Sequence, residues 1–258
     1  MDRSIKRVIL WLTVLCACGK ASGQRFVCTR ALDIAIAVDV SGSLSDNFTQ
    51  IQTFLNELVG EFTITNNAAQ IVVFGFDQEP RLTNVNSFDQ AGAQSLAGVR
   101  EQISNINLTL GATLITTAIA EASRLFNEST VRNNAERVAV FVTDGVNLGG
   151  RRFITQPAAA LRANFNTRVI GLGVSPSGDR DDINIPAFDL LTGNRNNLLI
   201  LEFKRRRCPT GGGGGGGDSS GEDGDDGDES NEEDSGSENG DGAPCEDELS
   251  RAARLICG

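Results

Sequence analysis

The chain contains neither histidine nor tyrosine. Without an imidazole, every Ser-His-Asp, Cys-His or His-base mechanism is excluded. Carboxylate or metal hydrolysis would lack its usual base, so the chain reads as a protein that is not an enzyme. Apolar runs near the ~20 residues that span a bilayer are missing too. Cysteines in CxxC spacing are absent, which with no His removes a zinc site. Finally, Asp218–Glu248 holds no Lys or Arg but about 15 of the 34 acidic residues. The net charge of −11 therefore belongs to one segment, and the rest of the chain is close to neutral. Nothing offers the basic footprint that nucleic acid requires.

What is present begins with a basic start, Arg3, Lys6 and Arg7, followed by an apolar run from Val8 to Cys18 and the small residues Ala21-Ser22-Gly23. This order predicts a secretory signal peptide over residues 1–23 and an extracellular location, matrix or body fluid. Cys28, Cys208, Cys245 and Cys257 then remain, enough for two disulfides in an oxidising compartment, with three pairings open.

From Cys28 onward, short apolar runs alternate with amphipathic stretches. Leu32–Val38, Gln70–Phe76, Arg81–Val85, Arg137–Thr143, Thr167–Val174 and Asn197–Phe203 read as six strands. Phe48, Ile51, Phe54, Leu55, Leu58 and Phe62 recur at helical spacing, and further helices fall around 90–106, 116–126, 157–165 and 183–191. Near-continuous apolar strands between helices imply a mostly parallel six-stranded sheet covered on both faces, the doubly wound α/β class.

The composition then changes. Seven glycines, Gly211–Gly217, lead into a run of Ser, Gly, Asp, Glu and Asn up to Ala243. No GK[ST] follows the glycines, so they are no phosphate loop. So little apolar surface predicts a disordered acidic segment over 208–244. After it, Leu249, Ala252, Ala253 and Ile256 fall at i, i+3, i+4 and i+7. An eleven-residue helix is too short to stand alone, so its apolar stripe needs the α/β body.

The chemistry is concentrated in three loops. Asp39-Val40-Ser41-Gly42-Ser43 ends the first strand, Gly111-Ala112-Thr113 precedes a helix, and Thr143-Asp144-Gly145 ends the fourth strand. Open α/β sheets place their sites at such strand ends. Hydroxyls and carboxylates are hard oxygen donors suited to Mg²⁺, Mn²⁺ or Ca²⁺. The competing account is structural: Ser41 and Ser43 cap the next helix and Asp144 opens a turn.

In these residues the stretch from Cys28 to Phe203 resembles the von Willebrand factor type A domain, particularly its extracellular matrilin- and collagen-type members. The resemblance implies strand order 3-2-1-4-5-6 and a metal-ion-dependent adhesion site made of Asp39, Ser41, Ser43, Thr113 and Asp144. It also implies a partner protein, collagen-like or another matrix protein, that presents a carboxylate to the metal. Such domains close with a helix directly after the last strand. The helix at 246–256 would fill that place, giving a domain of residues 24–207 plus 245–258 with 208–244 inserted. Pairing Cys208 with Cys245 and Cys28 with Cys257 suits this arrangement. The rival pairing, Cys28 with Cys208 and Cys245 with Cys257, would span an intact helix rising ~16 Å, against bridged Cα atoms within about 7 Å. Sequons at Asn47, Asn107 and Asn127 are candidate glycosylation sites. A second functional reading is an acidic matrix protein that holds calcium or mineral through its carboxylate segment.

Overall fold

The computed structural model describes residues 26–128, 132–177, 179–203 and 248–258. The signal-peptide, Cys208, Cys245 and inserted-segment readings lie outside the described residues.

Six strands form one sheet in the order β3-β2-β1-β4-β5-β6. They are β1 (Leu32–Asp39), β2 (Ala69–Phe76), β3 (Pro80–Arg81), β4 (Glu136–Thr143), β5 (Arg168–Val174) and β6 (Leu198–Leu201). All neighbours pair in parallel except β2 with β3. The helices are α1 (Phe48–Leu58), α2 (Leu96–Ser104), α3 (Ile115–Asn127), α4 (Arg152–Phe165), α5 (Ile185–Thr192) and α6 (Glu248–Cys257).

Strand β1 shows why both faces need cover. Ile34, Ile36 and Val38 point into the core beneath α1, α2 and α6, while Ala35 and Ala37 point into the core beneath α3, α4 and α5. Side chains alternate along a strand, so an all-apolar strand buries surface on both sides. On α1, Ile51, Phe54, Leu55 and Leu58 form the buried stripe at helical spacing. On α6, Ala252, Ala253 and Ile256 are buried and Leu249 packs against the same core.

The third strand is far shorter than the Arg81–Val85 run suggests. Only Pro80 and Arg81 pair with β2, antiparallel, opposite Phe76 and Gly75. Beyond them, the Thr83 hydroxyl donates to the Val73 and Val85 carbonyls at 3.3 Å each, taking the place of a backbone ladder. Helix α4 begins at Arg152 rather than Pro157, so the proline lies inside it and its missing N–H leaves one helical bond unmade.

At the end of the sheet where the parallel strands begin, Cys28 and Cys257 are disulfide-bonded with Cα atoms 5.9 Å apart. Beside the bridge, Arg30 donates to the carbonyls of Cys257 and Gly258, and Arg168 to those of Leu255 and Ile256. Glu136 pairs with both arginines. Two guanidinium groups thus satisfy the open carbonyls at the C-terminus of α6, where positive charge is also favoured by the helix dipole.

Candidate metal centre

The strand order reverses direction between β1 and β4, and polar groups gather at their carboxyl ends, where such sheets open a crevice. Asp39 closes β1 and Asp144 follows β4, both buried to within 1% exposure. Ser41 and Thr113 are buried beside them, and Ser43 is exposed.

Asp39 is held from three directions. Its Oδ1 accepts from the Ser41 amide at 3.0 Å and from the Thr113 hydroxyl at 3.5 Å, and its Oδ2 accepts from the Thr143 hydroxyl at 2.7 Å. The Ser41 and Ser43 hydroxyls lie 3.2 Å apart. Asp144 accepts from the Val146 amide at 2.8 Å and is also hydrogen-bonded by Ser43. All five residues singled out in the sequence therefore come together at the carboxyl ends of β1 and β4. The capping account fails for Ser41, which begins a 3₁₀ turn without a side-chain cap bond. It holds for one oxygen of Asp144, which does brace a turn.

Electrostatics favour a cation here. Burial pushes the Asp39 carboxyl up to about 6, against the lowering effect of hydrogen bonds from Ser41 and Thr143. Burial likewise raises Asp144, against hydrogen bonding from Ser43 and the Val146 amide. Among the described residues neither carboxylate has a Lys or Arg partner. Two buried carboxylates facing hydroxyl oxygens fit a hard divalent ion, which would offset their desolvation. No group of three or more Asp, Glu, Cys or His side chains forms a metal cluster among the described residues. The donor set is thus rich in hydroxyls and limited to two negative charges.

Sequence reasoning missed the residues that brace the cleft. Asp77, just past β2, accepts from Arg81 at 2.9 Å and from the Thr109 hydroxyl at 2.7 Å, while its carbonyl accepts from the Leu114 amide. It grips the Thr113 loop at both ends. A Cβ on Gly111 would fall 2.7 Å from the Asp77 carboxylate, so the close approach requires glycine. Asn147 accepts from the Ile115 amide at the start of α3, joining the Asp144 loop to that helix. Thr143 was visible only as part of a strand end. An Asp before a short hairpin with Arg at i+4 was the available signal for Asp77. Gly145 has φ +79°, and a Cβ there would meet Phe188 at 2.9 Å.

The sequons fare differently. Asn47 is 1% exposed and its Nδ2, the atom a glycan would occupy, donates to the Ser175 and Pro176 carbonyls at 3.2 and 2.9 Å. This fold cannot carry a glycan at Asn47, which corrects that reading. Asn107 and Asn127 are exposed.

A six-stranded doubly wound sheet with an oxygen-donor cleft at its switch point defines the class: an open α/β domain built around strands β1 and β4. More narrowly, the chain belongs to the von Willebrand factor type A domain family, whose model matches residues 33–190. It is similar to sporozoite surface protein 2 of Plasmodium yoelii yoelii, with 27% identity over 160 residues, 61% of this chain and 19% of that protein. It is similar as well to the thrombospondin-related anonymous protein of Plasmodium berghei (strain Anka), at 25% identity over 57% of this chain and 25% of that one. The chain thus spans a quarter or less of the length of these relatives. Among solved structures, manganese-loaded TRAP protein of Plasmodium vivax aligns with TM-score 0.55 and 19% identity, covering 69% of this chain and 70% of that one. Proximal thread matrix protein 1 from the mussel byssus, with a zinc-occupied MIDAS motif, aligns with TM-score 0.57 and 19% identity, covering 68% and 45%. These similarities support the fold. Among the described residues, no helix is long and apolar enough to cross a membrane.

Proposed function

We propose that this domain is a non-catalytic, extracellular binding module that holds a divalent cation on Asp39, Ser41, Ser43, Thr113 and Asp144. Mg²⁺ is the first candidate, with Mn²⁺ or Ca²⁺ as alternatives. The observation that carries the reading is the convergence of two buried carboxylates without basic partners on three hydroxyls. Solved neighbours that hold manganese or zinc, and a relative named as a surface protein, support it.

A bound divalent ion would supply positive charge to a carboxylate from a partner protein. The chain's own part is to hold and orient. Thr143 and the Ser41 amide fix Asp39, and Asp77 fixes the Thr113 loop. Two carboxylates neutralise one divalent ion and leave no excess negative charge to repel a third. A matrix protein is the partner class this reading favours. The test is a pull-down from extracellular-matrix extract in Mg²⁺ and in EDTA, with Asp39→Ala as control. Capture that persists in EDTA or in Asp39→Ala would refute metal-mediated binding. Capture lost instead on deleting residues 210–243 would favour the acidic segment as the binding element.

A further inference from the structure

Six large apolar side chains stand exposed among the described residues: Val27, Leu82, Leu110, Val146, Leu148 and Phe153. Four of them belong to the metal face. Val146 and Leu148 line a cleft of about 440 Å³ together with Ser41, Ser43 and Thr113. Leu110 adjoins Gly42, which also lines that cleft, its backbone carbonyl 3.6 Å from where a Cβ on Gly42 would be. Phe153 packs beside Gly149, another residue of the cleft, with the Arg152 guanidinium 4.8 Å over its ring.

Their exposure is built in. The Val146 amide donates to the Asp144 carboxylate, and the Leu148 amide donates to the Thr113 carbonyl at 2.8 Å. The Leu110 amide donates to the carbonyl of Val40, next to Ser41. Leu110, Val146 and Leu148 are thus each tied by their own backbone to a metal-site residue or its neighbour. Leu110 is also held at φ +59°, a left-handed conformation that costs a residue with a Cβ about 1–2 kcal/mol. At 66% exposure it gains little by burial in return. A leucine strained into solvent beside a polar cleft is explained by a partner that covers it.

We propose that these four residues form an apolar collar that selects the carboxylate reaching the metal: an Asp or Glu flanked by bulky apolar side chains in the partner protein. This rests on the metal-dependent reading above and narrows its ligand. The flanking side chains would bury against Leu110, Val146, Leu148 and Phe153. The collar also addresses a problem of this chain's own making. Residues 218–241 carry a dozen carboxylates and no large apolar residue. Seating one of those carboxylates on the metal would press its charged neighbours against apolar walls, at a desolvation cost that opposes binding. The collar therefore keeps the protein's own acidic segment from competing with its ligand.

The test uses the full chain and three immobilised synthetic peptides, each read in Mn²⁺ and in EDTA. One presents Glu between Leu and Phe in a Gly-Ser background, the second presents Glu between serines, and the third is residues 218–241. Mn²⁺ binding at the site is measured separately by calorimetry, as the difference between the chain and its Asp39→Ala variant. The expected result is Mn²⁺-dependent retention on the apolar-flanked peptide at least about tenfold above the other two. Leu110→Gly, which suits the positive φ and preserves the loop, and Leu148→Ser should each weaken that retention about tenfold with Mn²⁺ binding unchanged. Equal Mn²⁺-dependent retention of all three peptides would overturn the collar and leave the metal–carboxylate reading standing. Retention that survives EDTA would mark a plain apolar patch, which also overturns the collar. Retention of none by a protein that binds Mn²⁺ would overturn the carboxylate reading and the collar with it.

Discussion

The Glu202 amide donates to the Glu248 carboxylate at 3.4 Å although 46 positions separate the two residues in the chain. The end of β6 and the start of α6 therefore lie together, and α6 packs on α1, β5 and β6. If residues 208–244 are an insertion between these two elements, shortening them leaves the elements in place. Deleting residues 210–243 while keeping Cys208 and Cys245 should shift the melting midpoint by no more than a few degrees. With Cys28 bonded to Cys257, non-reducing peptide mapping should join Cys208 to Cys245. A peptide linking Cys245 to Cys257 would contradict both.

Metal binding should be close to one-to-one by calorimetry once the acidic segment is deleted. Asp39→Ala or Asp144→Ala should abolish it, because each removes one of only two charges in the donor set. Thr143→Val should lower affinity by roughly 10–100-fold without altering stoichiometry, since it frees the carboxylate that Thr143 orients at 2.7 Å. Full affinity in Thr143→Val would show that the remaining bonds suffice to place Asp39.

Asp33, buried completely at the other end of β1, accepts from Arg132 at 2.7 and 2.9 Å, and Arg132 also donates to the Leu32 and Ala68 carbonyls. Replacing Asp33 with Ala leaves a guanidinium without its counter-charge and should cost about 3–5 kcal/mol in urea unfolding. Mn²⁺ affinity of the folded fraction should not change, because the pair is remote from the cleft.

Opening the Cys28–Cys257 bridge by Cys257→Ser should destabilise the chain by about 2–5 kcal/mol. The bridge closes a loop of 229 positions, so its loss frees nearly the whole unfolded chain. Denaturant titration measures the effect. A loss below that range would mean that the Arg30 and Arg168 contacts hold α6 without the bridge.

The loop brace at Asp77 should set part of the acid sensitivity. Burial alone would raise this carboxyl, but hydrogen bonds from Arg81, the Glu79 amide and Thr109 outweigh it and bring it from 3.8 down to about 2. A carboxyl lowered on folding contributes stability that is complete above 3.8 and lost as pH falls towards 2. Asp77→Asn should therefore cost about 1–3 kcal/mol at pH 7, and the gap to the parent should narrow between pH 4 and 2. A gap independent of pH across that window would assign the loss to geometry rather than charge.

Local chemistry was enough to read most of the strands and helices and to single out the loops that carry the five candidate residues. Apolar runs such as Leu32–Val38 can be satisfied only by a sheet buried on both faces, and Asp39, Ser41 and Ser43 follow such a run within a few residues. The stripe of α6 was equally plain, because helical spacing is written in adjacent turns. What depends on chain segments far apart needed the tertiary structure. The third strand shrank to two residues because Thr83 takes the ladder's place on Val73. Asn47 satisfies the sequon pattern, yet folding spends its amide on carbonyls about 128 positions away. Asp77 meets Thr109 across 32 positions, and Val146 and Leu148 line one cleft with Ser41 and Thr113, which come from two other loops. Periodicity and short motifs report interactions within a few residues, whereas bracing, burial of single polar groups and the walls of a binding cleft arise from packing between elements that the sequence does not place side by side.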